Sequence, residues 1–323
     1  MTTTDTRGPA PSGAAPRDSD RRDVVIAVER LAKRYHDVVA VQEATFEVVR
    51  GEIFGILGPN GAGKTTTVEC LQGLRHADGG NVRVLGLDPQ RHAAQLRPRI
   101  GCQLQQSSLP DHMRVWEALD LFSSFVPGHS DWRLLLEQWG LADKAKASFH
   151  SLSGGQRQRL FVALALVNHP EVVFLDEMTT GLDPAARRLA WDLIREIRER
   201  GTTVVLVTHF MEEAERLCDR IAIMDGGRIV ASDTPRGLVE TYAGGVRVTF
   251  TTDEPDVSWL YDVPCVDELV HEGACVLVRG TGPVLALVAA ELVDHGIAPS
   301  DLRLEQPALE DVFLALTGHE MRE

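Results

Sequence analysis

The sequence contains no long apolar run. Its most extended uninterrupted stretches, such as FVALALV at 161–167, fall far short of the roughly 18 residues that suggest a membrane-spanning helix, so no bilayer span is expected. Cysteine is sparse. Cys70, Cys102, Cys218, Cys265 and Cys275 are scattered without a C-x-x-C pair, so neither a zinc site nor a disulfide framework is indicated and reduced thiols are expected. Positive charge is in deficit: 33 Lys and Arg stand against 47 Asp and Glu, a net charge of −14. Duplex binding draws most of its non-specific affinity from Lys and Arg on phosphates, so no nucleic-acid partner is expected. Residues 1–22 lack the apolar core of a signal peptide and carry the Pro, Ser and charge content of a disordered tail, which predicts a cytoplasmic chain. No tandem repeat is visible.

What is present is an ordinary globular composition, 44% hydrophobic and 25% charged over 323 residues, long enough for one large domain and a small one. Short β-branched runs at 24–28 (VVIAV), 52–57 (EIFGIL), 171–176 (EVVFLD), 203–208 (TVVLVT) and 220–225 (RIAIMD) alternate with amphipathic stretches. That is the signature of an α/β domain with parallel strands, here over residues 23–243. Gly244-Gly245 then breaks the chain, and 244–323 reads as a small α+β domain. Its strands are expected at 246–251, 265–270, 274–279 and 300–304, with helices near 283–295 and 307–317.

The strongest local motif is GPNGAGKTT, Gly58 to Thr66, which fits G-x-x-x-x-G-K-[ST] through Gly58, Gly63, Lys64 and Thr65. A strand precedes it and a helical segment follows, so backbone N–H groups of the loop, including Asn60, Gly61 and Thr66, and a helix N-terminus can face phosphates. Lys64 adds a point charge on the β- and γ-phosphates, and Thr65 offers a hydroxyl to Mg²⁺. A nucleoside triphosphate is the expected ligand, with Mg²⁺. The apolar run 172–175 ends in two adjacent acids, Asp176 and Glu177, which repel each other and cost desolvation when half buried. A bound cation rationalises them: Asp176 orients the metal, and Glu177 lies where it can activate a water. Taken alone, a strand ending in Asp-Glu is more often a polar turn; the P-loop reverses that reading.

Between these motifs lies SLSGGQRQRLFVALALVNHP, 151–170. Ser153 with Gln156 forms an S-x-x-Q capping box, and Leu160, Ala163, Leu164 and Val167 make a buried helical stripe. The same helix start, Ser153-Gly154-Gly155-Gln156, exposes N–H donors and a positive dipole end that this chain's own P-loop does not need. It suggests the nucleotide of a second molecule.

With LSGGQ at 152–156, the P-loop and FLDE, residues 23–243 resemble the ATP-binding subunit of an ATP-binding cassette (ABC) transporter. The resemblance implies a P-loop NTPase fold of the ABC ATPase type with a helical subdomain, binding ATP and Mg²⁺. It implies further roles. Tyr35 matches the aromatic that stacks on adenine, and Gln105 the glutamine that reaches Mg²⁺ and senses the membrane partner, with Gln103 and Gln106 as neighbouring registers. Asp183 matches the residue that contacts the opposite subunit, and His209 the switch histidine on the γ-phosphate. Taken alone, Asp183 would be a helix N-cap before Pro184, and His209 a structural residue. Met178 stands where the family commonly has proline, so the turn after Glu177 lacks a fixed φ and is free to loosen. The tail PALEDVFLALTGHE, 307–320, is similar to the C-terminal extension of ABC-2 type drug or antibiotic exporters of the daunorubicin and doxorubicin resistance kind; its stripe Leu309, Val312, Phe313 and Leu316 reads equally as an intradomain core.

The resemblance implies a homodimer that sandwiches two ATP molecules head to tail and drives a membrane-spanning permease encoded separately. The chain is then peripheral on the inner face of the membrane. Its cargo is expected among drugs, antibiotics or lipophilic compounds. Two other readings stand beside it. A soluble ABC ATPase in translation or DNA repair would need two cassettes or a long coiled coil, and neither is present. A drug-sequestering protein would have no use for Glu177 and His209.

Overall fold

The computed structural model describes residues 23–103, 108–126 and 131–319. Its strands are, in chain order, β1 Val24–Tyr35, β2 Val38–Val49, β3 Ile53–Leu57, β4 Gly79–Val84, β5 Ile100–Gln103, β6 Val172–Asp176 and β7 Thr203–Thr208. There follow β8 Arg220–Asp225, β9 Arg228–Asp233, β10 Val246–Thr251, β11 Val266–Glu272, β12 Cys275–Gly280 and β13 Arg303–Glu305. All five runs read as strands in the large domain are strands.

The central sheet has the order β5-β6-β7-β3-β8-β9, parallel except for β9, which runs antiparallel to β8. Every residue of β3, β6 and β7 is buried, as expected of parallel strands covered on both faces. Alternate side chains divide between two cores. Ile53, Leu57, Val173, Leu175, Val204 and Leu206 face the helical side, with Leu160, Trp191 and Ile194. Phe54, Ile56, Val172, Phe174, Val205 and Val207 face the other, with Val28, Val41 and Phe46 of β1 and β2.

VVIAV, taken as a parallel strand, lies instead in a separate antiparallel sheet of order β2-β1-β4. The reason is local: only His36 and Asp37 separate β1 from β2, and a parallel partner needs a crossover of a dozen or more residues. Helices Val115–Ser124, Trp132–Gln138 and Gly154–Ala165 lie in the chain between β5 and β6, forming the helical subdomain. They contribute Leu119, Leu135, Leu136 and Leu160 to the first core.

The C-terminal residues form an antiparallel sheet, β11-β12-β10-β13, with helix Val284–Asp294. Its own core gathers Val248, Phe250, Val276, Val278, Val288 and Leu292. The last helix, Leu309–Thr317, behaves differently. Its Leu309, Val312 and Phe313, all fully buried, belong to the core of the large domain. The Leu309 N–H donates to Glu215 Oε1 at 2.7 Å, and Asp311 pairs with Arg247 of β10. The apolar stripe expected in this helix is therefore buried across the molecule rather than within the small sheet.

Candidate active site

Parallel register brings three strand ends to one edge. Leu57 pairs with Thr208, and Asp176 with Val207, so the loops after β3, β6 and β7 open side by side. In parallel α/β sheets this carboxyl edge is where ligands bind. Asp176 reaches it although β6 is not the direct neighbour of the P-loop strand; β7 lies between them.

The loop after β3 depends on glycine at two points. Gly63 has φ 99°, and a Cβ there would meet the Ala40 carbonyl oxygen at 2.3 Å. A Cβ on Gly58 would lie 2.1 Å from the Met224 carbonyl oxygen. Asn60 and Gly61 are exposed at the loop's crest, and Thr65 and Thr66 are half-buried in the first turn of helix Lys64–Leu71. No side chain caps that helix start, which leaves its N–H groups to an outside anion.

Lys64 is buried, 4% exposed, and its Nζ donates to the carbonyls of Gly58 and Pro59 at 2.8 and 3.0 Å. It also lies 3.6 Å from Glu177 Oε1, to which His209 Nδ1 approaches at 3.3 Å. Burial lowers the Lys64 ammonium below its ordinary value, against the opposing pull of Glu177 and Asp176. Burial pushes the Asp176 carboxyl up to about 6, with the Thr65 hydroxyl and Lys64 working to lower it and Glu177 to raise it.

Asp176 Oδ1 is buried without a hydrogen-bond partner, and the Thr65 hydroxyl lies against the same carboxylate. An orphaned carboxylate oxygen beside a hydroxyl is an all-oxygen, hard donor pair, which fits Mg²⁺. Among the described residues no group of three or more His, Cys, Asp or Glu could hold a metal ion.

Glu177 has φ 48°, a left-handed conformation uncommon outside glycine, and its N–H donates to the Val207 carbonyl at 2.9 Å. Such a backbone persists where surrounding contacts over-determine it, and it turns the carboxylate toward Lys64 and His209. Met178, where the missing proline leaves the turn free to loosen, is anchored by its own side chain, 2% exposed in the first core.

The remaining predicted residues are more dispersed. The capping box forms: Gln156 N–H donates to Ser153 Oγ at 3.3 Å, and Ser153 N–H to Gln156 Oε1 at 3.0 Å. Ser153 and Gly154 are exposed, and added Cβ atoms on Gly154 or Gly155 would meet nothing within 4 Å. Asp183 is exposed and caps helix Pro184–Glu199, accepting from the N–H groups of Ala185 and Ala186 at 2.9 Å. Tyr35 ends β1, its ring approached by Lys33 Nζ at 5.3 Å and the Arg75 guanidinium at 5.9 Å. Gln105 lies outside the described residues; its neighbour Gln103 is buried and accepts from Gln158 Nε2 at 3.4 Å. Thr179 and Glu213, both fully buried, lie beside these residues without a motif that marks them. In MEEAERL, residues 211–217, Glu213 is one of three acids and no spacing singles it out.

An ABC transporter family model matches residues 41–180. The Nod factor export ATP-binding protein I of Ralstonia nicotianae (strain ATCC BAA-1114 / GMI1000) is 39% identical over 314 residues, covering 93% of this chain and 95% of that protein. The protein of that name from Burkholderia pseudomallei (strain K96243) is 41% identical over 304 residues, 92% of this chain and 98% of its own length. Among solved structures, cbiO1 from Clostridium perfringens, part of the ABC transporter complex cbiONQ, is similar with a TM-score of 0.61 at 26% identity, over 68% of this chain and 92% of that one.

Proposed function

Because this chain belongs to the ABC transporter family, as the ATP-hydrolysing subunit of an exporter, we propose that two copies sandwich two ATP molecules. Each ATP is held by the P-loop of one copy and the Ser153–Gln156 helix start of the other. A separate membrane-spanning permease is driven as hydrolysis reopens the pair, and the chain sits peripherally on the inner face of the membrane through that permease. Among the described residues no helix is long and apolar enough to cross a membrane. The exposed Leu74, Phe122 and Phe125, beside a cavity of about 590 Å³, support a partner surface on the large domain. The cargo we assign is a lipophilic compound, drug or antibiotic, exported as the named relatives export Nod factor. We take 23–243 as the ATP-binding domain and 244–323 as the appended α+β domain.

In this reading the loop from Gly58 to Thr66 and the first turn of its helix hold the phosphates through N–H groups, and Lys64 turns from its two carbonyls to the β- and γ-phosphates. Tyr35 stacks on adenine. Glu177 accepts a proton from the attacking water as that water's oxygen bonds to the γ-phosphorus and the bond to the β–γ bridging oxygen breaks, leaving ADP and phosphate. His209 hydrogen-bonds the γ-phosphate. Asp176, Thr65 and Gln105 hold Mg²⁺, which when bound offsets phosphate charge. Asp183 contacts the opposite copy.

The observation that carries the reading is the convergence of Lys64, Glu177 and His209 within 3.6 Å at the strand ends. The shared site is tested by mixing two inactive variants, Lys64→Ala and Ser153→Arg. In a heterodimer one site collects both lesions and the other joins an intact P-loop to an intact helix start, so nucleotide occlusion returns. If Ser153 instead served its own chain's nucleotide, every site would keep a lesion. Occlusion no greater than in either variant alone, with heterodimers verified by differential tags, sinks the sandwich.

A further inference from the structure

Glu213 is a carboxylate with no exposed surface, in the first turn of helix Met211–Leu217, four residues after His209. Isolated buried charge is costly, so its surroundings must compensate or the position must have a use. Trp191 Nε1 donates to Glu213 Oε1 at 3.0 Å. The hydroxyls of Thr208 and Thr179 face the same carboxylate, and Arg187 adds positive charge. Burial nevertheless holds the carboxyl above its ordinary value, against the pull of Thr208, Thr179 and Trp191. Thr179 Oγ1 and Glu213 Oε2 are both buried without a completed hydrogen bond.

Each of these groups belongs to a different part of the reaction site. Thr179 is two residues past Glu177, at a turn where the backbone is in a left-handed conformation. Thr208 precedes His209 and accepts from the Phe210 N–H at 2.9 Å, so its hydroxyl spans the histidine's backbone. Trp191 and Arg187 lie on the helix capped by Asp183, and the Arg187 guanidinium sits 4.4 Å over the Phe210 ring. An ionised carboxylate is acceptor-only, which matches an indole N–H and two hydroxyls; a carboxamide would turn a donor on one of them.

We propose that Glu213 is a positioning residue for ATP hydrolysis: its carboxylate links the turn after Glu177, the strand end before His209 and the helix begun by Asp183, so that the three are set as one unit. This rests on the functional reading above. Small misplacement of a general base costs rate far more than it costs binding.

The test is steady-state hydrolysis by the full chain, with Glu213→Gln, Trp191→Phe and Thr179→Val beside the wild type. Expected for Glu213→Gln is a fall in kcat of tenfold or more, with KM for ATP within threefold and a melting temperature close to wild type. A merely structural acid would lower the melting temperature and leave kcat of the folded fraction unchanged. The double variant Glu213→Gln with Thr179→Val should lose no more than the worse single variant, because both act through one link. If Glu213→Gln does not fold, Trp191→Phe and Thr179→Val decide: kcat within twofold of wild type in both overturns the proposal, as does the same result in folded Glu213→Gln. A wild-type chain whose turnover does not depend on Glu177 overturns the functional reading and this role with it. Glu177-dependent turnover that is indifferent to Glu213 overturns only this role.

Discussion

Asp176 carries an opposition between stability and function. Its carboxyl is raised from an ordinary 3.8 to about 6, chiefly by burial, so burial disfavours the ionised form that the proposed cation-holding role needs. That penalty is on the order of 3 kcal/mol above both values. The sign follows: stability from the neutral form is complete below the ordinary value and is lost as pH rises through about 6. Asp176→Asn should therefore melt higher than wild type at pH 8, with the gain shrinking below about 6, while phosphate release falls by about 10²–10³-fold. Thermal melts from pH 5 to 8 check this, and an Asn variant less stable than wild type at pH 8 contradicts it. Under the proposed roles, variants of Lys64 and Glu177 should separate binding from chemistry. Lys64→Ala should abolish ATP binding. Glu177→Gln should bind ATP and remain a dimer on size exclusion, since the phosphate cradle is untouched. A Glu177→Gln chain that stays monomeric at saturating ATP and Mg²⁺ counts against its role as base.

Among the elements, two helix starts have opposite relations to glycine. At Gly63 the backbone is left-handed and Ala40 leaves no room, so the requirement is met inside the chain. At Gly154 and Gly155 no neighbour lies within 4 Å of an added Cβ, so nothing in a single copy requires them. Gly154→Ala should leave the fold intact and even stabilise its helix by roughly 0.5–1 kcal/mol. It should also impair ATP-dependent dimerisation, because in the proposed sandwich the partner's nucleotide would occupy the space it fills. Sedimentation with ATP in a Glu177→Gln background reads this directly; undiminished dimerisation would leave these glycines without a role.

Across the whole molecule, the chain's last helix ties its end to the helix after His209. Phe313 is fully buried in the core that also holds Trp191 and Leu217. Phe313→Ala should cost about 3–5 kcal/mol in denaturant unfolding. A chain ending at residue 244 should still bind ATP, because every proposed phosphate contact is upstream, but it loses Leu309, Val312 and Phe313 from that core and should melt lower. Binding by a fluorescent ATP analogue alongside thermal melts measures both. A truncated chain with unchanged melting temperature would show that the contact is energetically idle.

Sequence alone determined the features whose causes are local. The Gly58–Thr66 loop, the Ser153–Gln156 cap and the all-buried strands β3, β6 and β7 are written in spacing, capping chemistry and unbroken apolar runs. Asp176 and Glu177 were legible as a pair because two adjacent acids at a strand end make sense beside a phosphate loop. Tertiary structure decided what depends on residues far apart. It placed β7 between β6 and β3 and buried the stripe of Leu309 against the large core. It also set Glu213 beside Thr179, 34 residues earlier, and Trp191, 22 residues earlier. Periodicity reports which face of an element is apolar, whereas the identity of the opposing surface, and whether a buried acid meets donors there, is fixed only when distant segments pack.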